Sequence, residues 1–314
     1  MNNSIGALPR GVRVDQLPGP LTPNLEAAVR ALAADAETAD GVVPLSEAAL
    51  LALGDPDADA THLLALGGPD AADPGAAAAL VGYAGLDSSD PADPTLHLVV
   101  APAHRRGGTG TTLLARARDL APVSVWAHGA RPAARAFAAA RGLAVGRELW
   151  VMRRELDREP TQPPQVPDDL AIRAFVPGRD EPAWLAVNSR AFVDHPEQGR
   201  MTLRDLVARE REPWFDPRGL LLAEQAGVLL GSVWTKVHPA SDTEPAHGEI
   251  YVLGVDPAAH GRGLGRLLAA RGMAHLRERG LGSVTLYTGP ENAAAVHLYR
   301  ALGFEIVGTD LKFR

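Results

Sequence analysis

Ile250-Tyr-Val-Leu-Gly-Val255-Asp-Pro-Ala-Ala-His260-Gly-Arg-Gly263-Leu-Gly265-Arg266 holds a strand, a break and a helix start within seventeen residues. The apolar and β-branched run Ile250 to Val255 predicts a strand. Asp-Pro and three alternate glycines end it, and from Arg266 to Arg279 apolar residues return at helical spacing. Glycine permits φ > 0, which turns successive backbone N–H groups into one concavity and lets a ligand approach the main chain. The helix after the turn adds unpaired N–H groups and the positive end of its dipole, and Arg262 and Arg266 add charge. One such turn taken alone also reads as a plain strand–helix corner. No Gly-Lys-Ser/Thr comes after it, so it is not a Walker loop, and it lacks Gly-x-Gly-x-x-Gly spacing.

The pattern occurs twice. Leu96-His-Leu-Val-Val100 predicts a strand, Arg105-Arg106-Gly107-Gly108-Thr109-Gly110 repeats the turn, and Thr111 to Leu120 predicts a helix. Each half continues with a β-like run (Val123 to Trp126; Ser283 to Thr288), a helix (Arg131 to Arg141; Asn292 to Leu302) and a last strand. Two glycine turns in register favour pyrophosphate, and the element order predicts an α/β fold built twice. Between the halves, Glu155 to Asp168 carries four prolines and few apolar side chains, so it reads as a linker. The expected division is residues 1–155, a linker over 156–168, and 169–314. Gly67 to Pro74 reads as a loop. Thr22-Pro23 is an expected cap for a helix over Leu25 to Ala34, and Ser46 for a short one with Glu47 in its first turn. Helices are expected over Ala183 to Phe192 and Thr202 to Arg211, and a hairpin around Gly227 joins Leu220–Gln225 to Val228–His238.

Composition narrows the function. The 314 residues are 46% hydrophobic and 22% charged, which is ordinary globular usage, and 38 acidic against 31 basic side chains argue against a general nucleic-acid binder. With no cysteine, a disulfide scaffold, a thiolate zinc site and a cysteine nucleophile are excluded. None of the ten histidines lies in a His-x-x-x-His helix with a third ligand nearby, so no metal is expected. No apolar leader or span is present, which leads us to expect a cytoplasmic protein, as a monomer, without nucleic-acid or membrane partners.

The strand, glycine turn, helix and strand, with Asn292-Ala-Ala-Ala-Val-His-Leu-Tyr299-Arg-Ala-Leu-Gly-Phe304 after them, resemble the GNAT superfamily of acetyl-CoA-dependent acetyltransferases. His260 stands where that pattern has Gln or Arg. The resemblance implies two tandem GNAT-like domains, each a mixed, mostly antiparallel sheet flanked by helices, with acetyl-CoA as co-substrate. It places cofactor contacts at Leu253, Gly254 and Val255, at His260, Gly261, Arg262, Gly263, Leu264, Gly265 and Arg266, and at Asn292, Ala293, Ala294, Ala295, Val296 and His297. In the first half the matching positions are Leu98, Val99 and Val100, then Arg106, Gly107, Gly108, Thr109, Gly110 and Thr111. Leu45-Ser-Glu47, Asn188-Ser-Arg-Ala-Phe192, His195-Pro-Glu-Gln-Gly199, Trp214-Phe-Asp-Pro217, Trp234-Thr-Lys236 and Gly248 to Asp256 carry the resemblance further, to the mycothiol acetyltransferase (mycothiol synthase) family of actinobacteria. That implies acetylation of the cysteinyl amine of cysteinyl-glucosaminyl-inositol, the last step of mycothiol biosynthesis, with Glu47, Glu197, Lys236, Glu249 and Tyr287 on the acceptor. Acetylation of another small amine or a protein N-terminus, and a non-catalytic acetyl-CoA sensor, are the alternatives.

Acyl transfer from a thioester to an amine needs a base for an ammonium of pKa ~8, a donor for the developing oxyanion and a proton for the leaving thiolate. Glu249 is the expected base, on the strand that feeds the turn; an isolated strand Glu otherwise faces solvent. Tyr299 is the expected acid; the alternative is a packing aromatic. The resemblance puts the oxyanion donor on the backbone near Leu253 to Val255. Aligning the two turns sets Pro94 opposite Glu249, and aligning Gly142 with Gly303 sets Ala138 opposite Tyr299. The first half therefore lacks both groups and is expected to be non-catalytic. His195, His238 and His247 read either as acceptor-side residues or, as is commoner for such histidines, as merely solvated ones.

Overall fold

The computed structural model describes residues 11–68, 79–156, 165–193, 195–241 and 244–314, and no side chains at 196 and 197. Most of the expected loop and most of the linker lie outside the described residues. The chain forms two compact units, Met1–Glu148 with Thr309–Arg314, and Leu149–Gly308.

The first unit runs β1 (Val12–Pro18), α1 (Pro23–Asp40), α2 (Glu47–Ala52), β2 (Ala60–Gly67), β3 (Ala79–Asp87), β4 (Thr95–Val100), α3 (Thr109–Leu120), β5 (Ser124–Ala127) and α4 (Pro132–Ala140). The chain continues as β6 (Val145–Glu155), β7 (Ala171–Ala174), α5 (Glu181–Ala191), α6 (Pro196–Gly199), α7 (Leu203–Glu210), β8 (Leu220–Gln225), β9 (Val228–His238), β10 (His247–Val255), α8 (Leu264–Glu278), β11 (Ser283–Thr288), α9 (Ala293–Ala301) and β12 (Glu305–Phe313). Strand order in the first unit is β1-β2-β3-β4-β5, closed by the end of β12; in the second it is β6-β11-β10-β9-β8-β7. Within these units β4–β5 and β10–β11 are parallel, and the other registered pairs are antiparallel. The mixed, mostly antiparallel fold expected for each half is present.

The division differs from the expected one at both ends. Ser283 to Thr288 of β11 pair with Glu155 to Trp150 of β6, and Met152 is fully buried in the second unit's core. Leu311 and Phe313 of β12 pair with Ala127 and Val125 and lie in the first unit's core. Each half thus ends on a strand that completes the other unit. The prolines of 156–168 mark where the chain cannot pair, but not which sheet the strand before them joins.

Local signals account for most boundaries. Ala226 and Gly227 both have positive φ, as a two-residue hairpin turn between right-twisted strands requires. Thr202 and Asp205 form a reciprocal capping box on α7, and the Ser46 hydroxyl accepts from Ala49 N on α2. At α1, Pro23 occupies the first turn as expected, but the Thr22 hydroxyl makes no capping bond.

Both faces of the second sheet are covered. Leu267, Leu268 and Leu276 of α8 and Tyr299 of α9 pack with Val233, Ile250 and Leu286 on one side. On the other, Trp184, Val187 and Leu206 pack with Leu220, Leu222, Trp234 and Val252. There the Trp184 indole donates to Ser232 Oγ at 3.0 Å, with both side chains buried. Ser232→Ala would strand that N–H away from water, so urea unfolding should show a loss of roughly 1–3 kcal/mol; an unchanged midpoint would mean a water takes the place of the hydroxyl.

Two irregularities of β10 open it for chemistry. Its pairing with β9 shifts between Ile250 and Val252, so Tyr251 is a bulge. Its pairing with β11 is confined to Gly248↔Val284 and Glu249↔Thr285; beyond Glu249 the two parallel strands part.

Candidate functional site

The site in the second unit is built along β10. At its far end Gly261 and Gly263 have φ of 76° and 74°, and a Cβ at either would meet nothing within 4 Å. The cradle of backbone N–H groups therefore faces open space. Gly263 is the N-cap of α8 and supplies no side chain, so the helix's first N–H groups are left for a ligand. Gly265 is different: a Cβ there would make ordinary contacts, 3.5 Å from Leu298 of α9 and 4.0 Å from Leu253 of β10, so its side faces protein and not open space. Arg262 and Arg266 are exposed, and among the described residues neither has an ion-pair partner. The His260 ring lies 3.1 Å from Val255 O, within hydrogen-bond reach of the strand end. In the first unit Arg105 Nε donates to Val100 O at the same distance, 3.1 Å. This explains how His stands in for Gln or Arg: the side chain ties the turn to the strand, and the main chain faces the ligand. Asn292 Oδ1 caps α9 by accepting from Ala295 N, so Ala293 to His297 form the first turns of that helix.

At the near end, Glu249 is buried and sits where β10 leaves β11. Its Oε2 lies 2.6 Å from His238 Nε2. The β9–β10 register sets Lys236 opposite Glu249 and His238 opposite His247, so all four side chains share one sheet face. The Lys236 ammonium is held over the Trp214 ring at 4.3 Å and the Tyr251 ring at 5.3 Å, which fixes the place of that cation. The rings of His238 and His247 stack at 4.7 Å. Burial, with the neighbouring His238, lowers the pKa of His247. Tyr287 of β11 is exposed. The side chain of Glu197, on α6, lies outside the described residues.

Tyr299 is 7% exposed, on the core face of α9, edge-on to Phe304 at 5.6 Å. Burial raises its pKa well above that of a free phenol, which keeps it protonated. Among the described residues its hydroxyl has no hydrogen-bond partner.

The first unit repeats the turn without the chemistry. Arg106 and Gly108 have positive φ, and Gly108 is the N-cap of α3, with Thr109, Gly110 and Thr111 in its first turn. Leu98, Val99 and Val100 end β4 as Leu253, Gly254 and Val255 end β10. Arg105 is held by Asp40 through two bonds of 2.8 Å. Ala138 is the true counterpart of Tyr299: Leu143 N bonds Ala138 O at 3.0 Å just as Phe304 N bonds Tyr299 O at 2.9 Å. For Glu249 the counterpart is corrected. The pairing of β4 with β3 runs without a shift from Val100 to Thr95, whereas β10 carries the extra residue Tyr251, so Thr95 takes the place of Glu249 and Pro94 lies one residue further out. Nearby, Asp93 binds Lys312 at 2.7 Å and Asp310 binds His128 at 2.8 Å. Burial pushes the pKa of His97 down to about 3, so it stays neutral. Glu47 opens α2, half-buried, next to Ser46, whose hydroxyl is 3.5 Å from His97 Nε2.

Sequence reasoning missed the Trp214–Tyr251 cradle under Lys236 and the contact between His238 and Glu249. Among the described residues, no group of three or more His, Asp or Glu side chains is placed to hold a metal ion, and no helix is long and apolar enough to cross a membrane.

Residues 184–304 match the family model described as "Acetyltransferase (GNAT) family". A mycothiol acetyltransferase of Cellulomonas flavigena is 54% identical over 306 residues, covering 94% of this chain and 87% of that protein. One from Thermobispora bispora is 49% identical over 298 residues, covering 93% and 97%. Among solved structures, a tandem GNAT protein from the clavulanic acid biosynthesis pathway superposes with a TM-score of 0.70 at 19% identity, over 96% of this chain and 98% of that one. A GCN5-related N-acetyltransferase from Sphaerobacter thermophilus gives 0.65 at 23% identity, over 96% and 94%. These two show the shared fold.

Proposed function

Since this chain belongs to the mycothiol acetyltransferase family of the GNAT acetyltransferases, we propose that its second unit transfers acetyl from acetyl-CoA to the cysteinyl amine of cysteinyl-glucosaminyl-inositol, completing mycothiol. The observation that carries this reading is the placing of Glu249 and the glycine turn at the two ends of one strand. Five residues lie between Glu249 and Val255, one of them the bulge Tyr251, which leaves about 17 Å of strand, so an extended acyl-carrier arm can reach from the pyrophosphate cradle toward the base.

The residues present fit acetyl-CoA: an open glycine cradle, an uncapped helix start, two unpaired arginines and a buried phenol without a partner among the described residues. When bound, acetyl-CoA supplies an activated thioester carbonyl. The α8 N–H groups and Arg262 and Arg266 hold its phosphates. Backbone N–H groups near Leu253 to Val255, on the edge that β11 has left, are placed to donate to a developing oxyanion. Glu249 takes the proton from the acceptor ammonium, directly or through a water, and Tyr299 gives one to the departing thiolate. Lys236 and Glu249 present a cation and a carboxylate to a polyol, with Tyr287 and Glu197 as further acceptor contacts. The test is incubation of purified protein with acetyl-CoA and the cysteinyl pseudodisaccharide, read by mass spectrometry. One acetyl group on the cysteinyl nitrogen is expected; no product from this acceptor, with turnover of another amine, would overturn the assignment of substrate.

The first unit keeps a phosphate turn but has Thr95 and Ala138 in place of base and acid, so on this reading it holds CoA without catalysing. Gly108→Val with Gly110→Val forces a β-branched residue to φ 99° at the first position and crowds Val100, Leu98 and Phe137 at the second. Calorimetry should then lose one of two CoA equivalents while kcat stays within about twofold. A collapse of turnover in the folded double variant would make the first unit an active site.

A further inference from the structure

The contact between Glu249 Oε2 and His238 Nε2 is 2.6 Å long. Two bare acceptors cannot approach so closely, so whenever the carboxylate is ionised the imidazole must be the donor. Oε2 is then engaged, and Oε1 is the oxygen left to receive a proton. The His238 side chain is 32% exposed, against 9% for Glu249, so the ring exchanges protons with solvent and the carboxylate is screened from it. The charged and titratable groups around the ring are Lys236 on β9, held over Trp214 and Tyr251; His247 and Glu249 on β10; Glu244 before β10, 3.7 Å from His247; and Arg153 on β6, bound to Glu244 at 2.5 Å. Burial disfavours the charged form of His247, and of the stacked pair His238 is the ring in contact with the Glu249 carboxylate.

We propose that His238 is a positioning residue that switches the basicity of Glu249. With the ring neutral, its Nε2–H pins Oε2, and Oε1 accepts the ammonium proton: one N–H bond breaks, one O–H bond forms, and the electron pair stays on the amine. With the ring protonated, the adjacent imidazolium keeps the carboxylate from taking that proton. On this proposal the acid limb of the rate profile depends on His238 as well as on Glu249. This rests on the reading of Glu249 as the base.

The experiment compares kcat against pH for the wild type, His238→Gln, His238→Ala and Glu249→Gln, with the acceptor and acetyl-CoA saturating. Gln keeps an amide donor for Oε2 and does not titrate. Its acid limb should move to lower pH by about one unit or more. Ala removes the donor, and kcat at pH 8 should fall about tenfold, with partial rescue by added imidazole. The amine titrates alike in every variant, so it cannot produce a difference between them. A purely structural role would lower kcat in both His238 variants and leave the limb in place, which would overturn the proposal. If His238→Ala does not fold, His238→Gln and His238→Asn carry the test through the limb alone. If Glu249→Gln keeps wild-type turnover, the reading of the base fails. If it loses turnover while the His238→Gln limb stays put, only the role of His238 fails.

Discussion

Glu249→Gln should lower kcat at pH 7 by about 100-fold or more, the usual scale for loss of a general base. The substitution keeps the volume of a buried side chain and a carbonyl oxygen for His238, so the β9–β10 register has no reason to change. It removes only the ability to hold a proton. An α-amine of pKa ~8 is mostly ammonium at pH 7 and mostly free amine above pH 9. The deficit should therefore shrink as pH rises, because the solvent has already done the work of the base. Acetyl-CoA affinity should be preserved, since the phosphate turn lies at the other end of β10. Steady-state rates from pH 6 to 9.5, with calorimetry for the cofactor, read all three quantities. Turnover equal to wild type at pH 7 would leave Glu249 as a structural carboxylate.

Glu249 and Tyr299 could be singled out because the chain contains its own comparison. A lone Glu on a strand or Tyr on a helix carries little information, but two copies of one element that differ at those positions do. Ala138 holds the same place against the same helix-ending bonds as Tyr299, so that comparison survives folding intact. The comparison of Glu249 with Pro94 needed a shift of one residue, because a bulge inserts Tyr251 without leaving a signature in an apolar strand. The bulge matters for the site: it turns Tyr251 to join Trp214 under Lys236. The His238–Glu249 pair was out of reach for a related reason. The two residues lie on different strands, and the connection from 239 to 246 is too long to fix a register as the Ala226–Gly227 turn does. The exchange of last strands was hidden too, since a pattern of apolar residues specifies a strand and a buried face but not the neighbouring strand.

Tyr299→Phe should leave acetyl-CoA affinity nearly unchanged and lower kcat by about 100-fold. The ring packs against Phe304 and fills the core beneath α9, and Phe keeps every one of those contacts. What is lost is the hydroxyl, which has no hydrogen-bond partner among the described residues. Because no hydrogen bond within the described residues is removed, Tyr299→Phe should unfold at nearly the same temperature without ligand. A residue kept for packing gives the opposite pattern, with stability or binding falling while kcat holds. Direction of titration adds a second check. Burial raises the phenol's pKa, so the protonated form persists through the working range, and the wild-type profile should show no alkaline limb from this group below pH 9. The thiolate it serves gains charge only as the C–S bond breaks, so the interaction strengthens toward the transition state and is absent from the bound ground state. The loss therefore belongs in kcat, with the Kd of acetyl-CoA fixed. Should the variant instead lose acetyl-CoA binding with kcat intact, Tyr299 is part of the cofactor pocket and the thiolate takes its proton from water.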